Sequence, residues 1–140
     1  TRIHRMADSR QKGAAFERAI ISAIKDRLGD KLPEMPKRNL SQYQVKGEAD
    51  ILIPGWSIEC KAHANTGGVY KQGWWQQAVD AAANTDRFPV LIYKFNNRPV
   101  RCVLQLMAVC RNFSYDPDLI CEMSLNTWLH IAQESLGVDR

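Results

Sequence analysis

The sequence has 140 residues, of which 45% are hydrophobic and 24% are charged, and its formal net charge is +4 at pH 7. This length predicts one domain, residues 1–140, with enough apolar residues to form a core. No apolar run approaches the roughly 20 residues of a membrane span, and the polar N-terminal residues do not resemble a signal peptide. We therefore expect a protein of the cytoplasm without a membrane partner.

The charges are unevenly distributed along the chain. Residues 1–38 carry ten Lys or Arg against five Asp or Glu, whereas residues 116–140 carry five acidic residues and one Arg. This asymmetry predicts a basic face for a polyanion and an acidic end directed elsewhere. The four cysteines lack the short paired spacing of zinc sites, so we expect reduced, mostly buried thiols.

The N-terminal part predicts a basic arm followed by a long helix. Residues 1–9 are polar and predict a flexible arm, and Asp8 or Ser9 is a suitable helix cap. Apolar residues then recur every fourth position as far as Leu28, and Gly29 is a typical residue after a helix end. The apolar positions of this helix are Phe16, Ile20, Ile24 and Leu28.

Strands are expected in the middle of the chain. Residues 39–45 predict a first, partly exposed strand. The apolar runs 51–53 and 56–58 flank Pro54-Gly55 and predict a β-hairpin. After a loop, residues 69–83 predict a second helix.

A second strand pair and a final helix complete the predicted order. Residues 88–95 and 100–109 predict two strands joined by a turn at residues 96–99. Residues 111–123 are expected to be irregular, and residues 124–137 to contain a closing helix. Helix, three strands, helix, two strands and helix predict one mixed sheet with helices packed on it.

The hairpin carries the residues with the clearest chemistry. Asp50 precedes its first strand, and Glu59 and Lys61 lie on its second strand. Because side chains alternate along a strand, Glu59 and Lys61 project from one face and Cys60 from the other. Charged groups beside a buried strand are costly to desolvate unless they are used. Two carboxylates can hold Mg²⁺ and a Lys can orient water, which predicts metal-assisted phosphodiester hydrolysis.

Glu17 has two interpretations at this stage. It lies at the edge of the apolar stripe of the first helix. It is either a solvated Glu that pairs with a basic neighbour, or a carboxylate that reaches the hairpin and joins the metal site.

The pattern resembles the Asp…Glu-x-Lys core of the PD-(D/E)xK nucleases, although Ala49 stands where that name has Pro. In addition, Lys12-Gly13 and Glu17-Arg18 match the Lys-Gly-x-x-x-Glu-Arg opening of archaeal-type Holliday-junction resolvases and their phage-encoded relatives. Residues 89–95, including Lys94, resemble a later core strand of that family. The resemblance covers residues 10–106.

The resemblance implies an α/β fold with a restriction-endonuclease-like core, a mixed five-stranded sheet flanked by helices. It also implies a nuclease that depends on Mg²⁺, with Mn²⁺ as a substitute. Asp50 and Glu59 would be metal ligands together with the backbone carbonyl of Cys60. Glu17 would complete the acidic site, and Lys61 would position the attacking water or stabilise the pentacovalent phosphate.

Further residues are implied to contact DNA, mainly its phosphates. A Ser in the loop before the catalytic Asp and a Gln of the second helix recur in such nucleases; we favour Gln76 over Gln72 and Gln77. The implied DNA-binding residues are Arg10, Lys12, Arg18, Ser41, Gln76 and Lys94. The implied partners are branched DNA and a second copy of the chain, because paired nicks require paired sites.

The leading interpretation is a structure-selective endonuclease that resolves four-way junctions. One alternative is another PD-(D/E)xK nuclease of the repair or restriction type. A second is an inactive DNA-binding module on the same fold. Four residues keep two interpretations each. His63 is either a substrate contact or a loop residue, and Glu48 is either solvated or a substitute ligand. Trp74 and Trp75 either stack on bases or belong to the core.

Overall fold

The computed structural model describes residues 2–40, 47–64, 69–70 and 72–136, with side chains from residue 11 onward. Its helices are α1 (Arg2–Leu28), α2 (Gln72–Ala82), α3 (Leu106–Val109) and α4 (Leu125–Leu136). Its strands are β1 (Ile51–Ile53), β2 (Trp56–His63), β3 (Phe88–Phe95), β4 (Arg101–Gln105) and β5 (Ile120–Ser124). Within the described residues, no helix has both the length and the apolar character needed to cross a membrane.

The five strands form one mixed sheet in the order β1-β2-β3-β4-β5. The β2–β3 pair is parallel and the other three pairs are antiparallel. A parallel pair requires a crossover connection, which α2 supplies between β2 and β3. The predicted mixed five-stranded sheet flanked by helices is confirmed.

Apolar residues cover both faces of the sheet. On one face, α1 packs on β2 and α4 packs on β4 and β5, with Ile24, Ile58, Ile92 and Trp128 fully buried. On the other face, α2 packs through two Trp and two Ala onto the alternate residues of β3 and β4, namely Leu91, Tyr93, Phe95 and Val103. Trp74 and Trp75 are therefore core residues, and the base-stacking alternative is not supported.

The N-terminal helix is longer than expected. It begins at Arg2 rather than at Asp8 or Ser9, so the arm predicted for residues 1–9 is helical from Arg2 onward. Residues 2–12 contain no Gly or Pro, and most of them are favourable in helices. A capping residue permits a helix start but does not impose one.

Two strand predictions were wrong in position, and a third lies mostly outside the described residues. Residues 41–45 of the expected strand 39–45 are not described, and Arg38 before it forms an isolated bridge with Ile51. The fifth strand is instead Ile120–Ser124, which was expected to be irregular because it is short and half exposed. The strand expected to reach residue 109 ends at Gln105, since Leu106–Val109 forms a helical turn.

Candidate active site

The β1–β2 hairpin brings the two central carboxylates together. Gly55 adopts a φ of 84°, a backbone conformation that residues with side chains rarely adopt. Glycine at this position therefore allows a tight turn directly after Pro54. The turn sets a register in which Ile51 faces Ile58, and the backbone N–H of Asp50 donates to the Ile58 carbonyl at 3.0 Å. Asp50, one residue before β1, consequently lies beside the segment of β2 that carries Glu59.

Both carboxylates are buried, with 7% of Asp50 and 3% of Glu59 exposed. The backbone N–H of Cys60 donates to Asp50 Oδ2 at 2.7 Å, and Gln77 Nε2 donates to Glu59 Oε1 at 3.0 Å. Glu59 Oε2 accepts no hydrogen bond from the described residues. A buried carboxylate oxygen without a donor is costly unless a proton or a cation reaches it.

The pKa values of Asp50 and Glu59 reflect their burial and their proximity to each other. Burial raises the pKa of Asp50 to about 6, opposed by the Cys60 N–H and assisted by the charge of Glu17. Burial and the Asp50 charge raise the pKa of Glu59 to about 8, and a protonated Glu59 donates to Asp50. Two carboxylates that resist simultaneous ionisation are a favourable environment for a cation.

Lys61 links the buried pair to solvent. It lies on the same face of β2 as Glu59, and its Nζ is 3.8 Å from Glu59 Oε1. Its side chain is 24% exposed, against 3% for that of Glu59. The ammonium group can therefore contact a substrate phosphate or a water molecule while staying beside the carboxylates.

Glu17 belongs to the same cluster. It is buried on α1, and its charge raises the pKa of both Asp50 and Glu59. Glu17 is not solvated, so that part of the first alternative is wrong, whereas its pairing with a basic residue is found. Arg38 Nε donates to Glu17 Oε2 at 2.8 Å, although the sequence did not indicate Arg38 as the partner.

Asn39 holds the chain on the other side of Asp50. Its backbone N–H donates to the Asp50 carbonyl at 2.8 Å, and its Nδ2 donates to the Ala49 carbonyl and to Glu48 Oε2. Glu48 is thus bound by an amide and is not simply solvated. Arg38 and Asn39 were missed because no spacing rule connects them to the hairpin; the isolated bridge to Ile51 does.

The second helix contributes a different glutamine from the one favoured. Gln77 contacts Glu59, whereas Gln76 donates to Asp80 Oδ1 at 2.8 Å on the exposed side of α2. Gln77, one residue further along α2, is therefore the glutamine beside the carboxylate pair. Trp74, Trp75 and Ala78 face the sheet, and Gln77 lies at the side of α2 that borders β2.

The remaining predicted contact residues that are described lie on α1, β2 and β3. Lys12 Nζ donates to Asn96 Oδ1, and Lys12 and Lys94 both line one groove beside α1. Arg18 is exposed on α1, and His63 is exposed with its ring centroid 5.0 Å from that of Trp74. The side chain of Arg10 and all of Ser41 lie outside the described residues.

The donor set suits a cation held by two carboxylates. Among the described residues, no three or more His, Cys, Asp and Glu side chains form a complete metal cage. Mg²⁺ is usually bound through one or two carboxylates, with water and phosphate as further ligands, so Asp50 and Glu59 fit it. In an extended strand the N–H and C=O of one residue point to the same edge, so the Cys60 carbonyl faces the edge where Asp50 lies.

Comparison with known proteins gives the family. A family model described as "Phage putative PDDEXK endonuclease" matches residues 8–135. The chain belongs to this family. It is therefore a nuclease of the PD-(D/E)xK class, as the resemblance of its motifs implied.

No curated protein matches the sequence. Among solved structures, the chain is similar to Hjc, a Holliday junction resolvase from the archaeal hyperthermophile Archaeoglobus fulgidus, with 12% sequence identity. The match covers 84% of this chain and 98% of the Hjc chain, with a TM-score of 0.48.

Proposed function

We propose that this PD-(D/E)xK endonuclease hydrolyses DNA with Mg²⁺ and resolves four-way junctions by paired nicks. The observation that carries the hydrolytic part is the Asp50–Glu59 pair. Both carboxylates are buried, one oxygen of Glu59 has no donor among the described residues, and Lys61 connects the pair to solvent. An inactive binding module would have no use for this costly arrangement.

Each residue has a role that follows from its contacts. Asp50 and Glu59 would hold the metal ion together with the Cys60 carbonyl, and Mn²⁺ would replace Mg²⁺. When bound, the ion supplies Lewis-acid stabilisation of negative charge on the phosphate. Gln77 fixes the Glu59 carboxylate through its 3.0 Å hydrogen bond. Lys61 orients the attacking water or neutralises the developing charge.

Substrate binding would use the basic residues near α1. Lys12, Arg18 and Lys94 are at least partly exposed and can contact phosphates, which provide affinity without reading sequence. Arg10 and Ser41 are proposed for the same surface from the resemblance alone. Junction resolution requires two sites, so we propose a homodimer in which each subunit cuts one strand.

The experiment compares a labelled four-way junction with a linear duplex of the same arm sequence, each with the protein and Mg²⁺. The proposal predicts paired, symmetric nicks in the junction at protein concentrations that leave the duplex uncut. Equal cutting of both would remove the junction selectivity and indicate a repair- or restriction-type nuclease. Binding of DNA without any cutting would indicate the inactive module.

A further inference from the structure

Arg38 is a partly buried cation at the edge of the acidic cluster. Its Nε lies 2.8 Å from Glu17 Oε2, and the side chains are only 18% and 7% exposed. Charge-assisted hydrogen bonds of this length are strong where water is largely excluded. The contact therefore orients Glu17 and offsets part of its charge.

The hairpin itself places Arg38 there. The backbone of Arg38 bridges to Ile51, the residue after Asp50, and the next residue, Asn39, donates its N–H to the Asp50 carbonyl. Arg38 is thus attached to the strand that carries one carboxylate while its side chain binds another.

We infer that Arg38 acts as a built-in counter-cation that keeps Glu17 from serving as a metal ligand. The inference rests on the proposed metal-dependent function. Asp50 and Glu59 would then hold a single divalent ion, and Glu17 would be a positioning residue that anchors Arg38 beside it.

The inference makes a distinctive prediction for metal binding. Removal of the guanidinium releases the Glu17 carboxylate toward Asp50 and Glu59 and removes a positive charge that repels the ion. Arg38→Gln should therefore bind Mn²⁺ about tenfold more tightly, or bind a second Mn²⁺ ion. Interactions between charges a few ångströms apart inside a protein are large enough to produce this change. Arg38→Lys keeps the charge and should resemble the wild type.

The test is calorimetric titration of DNA-free protein with MnCl₂, together with the melting temperature with and without Mn²⁺. Lys25→Gln is the control, because it removes one exposed positive charge from α1, the helix that carries Glu17. Lys25 is eight residues from Glu17, about 12 Å along a helix. Its charge is screened at that distance by physiological salt, whose Debye length is about 8 Å.

A double variant protects the test against misfolding of Arg38→Gln. Glu17→Gln/Arg38→Gln removes both charges, so neither is left buried and unpaired. The inference predicts one Mn²⁺ bound within about threefold of the wild-type affinity, since the net charge near the ion is unchanged. Loss of binding in the double variant would identify Glu17 as a metal ligand and overturn the inference.

The remaining outcomes separate the inference from the proposed function. A larger Mn²⁺-induced rise in melting temperature for Arg38→Gln than for the wild type supports the inference. A purely structural Arg38 would lower the melting temperature equally with and without Mn²⁺, and unchanged affinity would overturn the inference while the nuclease proposal stands. If neither the wild type nor any variant binds Mn²⁺, both fail.

Discussion

Two glutamates in one row of the sheet show how differently the same residue type is used. The strand registers align Glu59 with Leu91, Leu91 with Val103 and Val103 with Glu122, so both carboxylates project from the face covered by α2. Glu122 Oε1 accepts from the Tyr93 hydroxyl at 2.7 Å. Its Oε2 accepts from Arg101 Nε at 3.3 Å, and its side chain is 37% exposed.

Glu59 is compensated less completely. It is almost fully buried, one of its oxygens has no donor among the described residues, and the Lys61 ammonium at 3.8 Å is offset by the like charge of Asp50. The comparison separates a half-exposed carboxylate that is fully paired from a buried carboxylate pair that is not. Two buried carboxylates beside one Lys leave a net negative charge for a ligand to neutralise.

The largest expected effect comes from breaking this contrast with matched substitutions. Glu59→Gln removes a proposed metal ligand and should lower DNA cleavage at least ~100-fold. This loss is larger than the one expected for a residue that only orients a metal ligand. Glu122→Gln keeps the Tyr93 contact and loses a half-exposed ion pair, so cleavage should be unchanged and the melting temperature should move by only a few degrees. Initial cleavage rates of the two proteins provide the comparison.

Circular dichroism of both variants is the control for folding. Equal loss of cleavage in Glu59→Gln and Glu122→Gln would contradict the distinction between the two glutamates.

The second prediction concerns pH and the metal-free protein. The folded pKa values of Asp50 and Glu59, about 6 and about 8, lie above the ordinary values of 3.8 and 4.5. Between those limits the folded state binds more protons than the unfolded state, so the free energy of unfolding must fall as pH rises from about 4 to about 8. Melting temperatures in EDTA across this range should show the decline.

Glu59→Gln sharpens that measurement, because it removes one titrating carboxylate and relieves the other. Its melting temperature should exceed that of the wild type at pH 8 by roughly 5 °C, and the difference should shrink toward pH 4. Identical slopes for the two proteins would show that the pair does not control the pH dependence.

The smallest expected effect separates neighbouring residues of α2. Gln77→Ala removes the donor to Glu59 Oε1 and should lower cleavage about tenfold, as is typical for groups that orient a metal ligand. Gln76→Ala removes only an exposed contact with Asp80 and should leave the rate within about twofold of the wild type, because such exposed contacts contribute little. A larger loss in Gln76→Ala would restore Gln76 as the functional glutamine.

The central site residues could be predicted because local rules place them. Strand alternation puts Glu59 and Lys61 on one face, and the Pro54-Gly55 turn brings Asp50 alongside. Gln77 and Arg38 could not be chosen in this way. Their contacts depend on the rotation of α2 and on a loop that pairs with β1, and neither is encoded in a short sequence spacing.

The prediction of the fold from the sequence is limited in the same way. The closing helix and the central strand β3 have strong apolar patterns, and the structure places them at 125–136 and 88–95, as expected. Strand β5 has a weak pattern, because it is a half-exposed edge strand whose order comes from pairing with β4. The Glu122 network became apparent only when that pairing was known.

The most direct test of the account is cleavage of a labelled four-way junction by the wild type and by Asp50→Asn, each with and without Mg²⁺. We expect the wild type to make paired nicks only when Mg²⁺ is present. Asp50→Asn is expected to bind the junction without cutting it. Cleavage by Asp50→Asn at the wild-type rate, or by the wild type in EDTA, would contradict the assignment of the Asp50–Glu59 pair as the metal site.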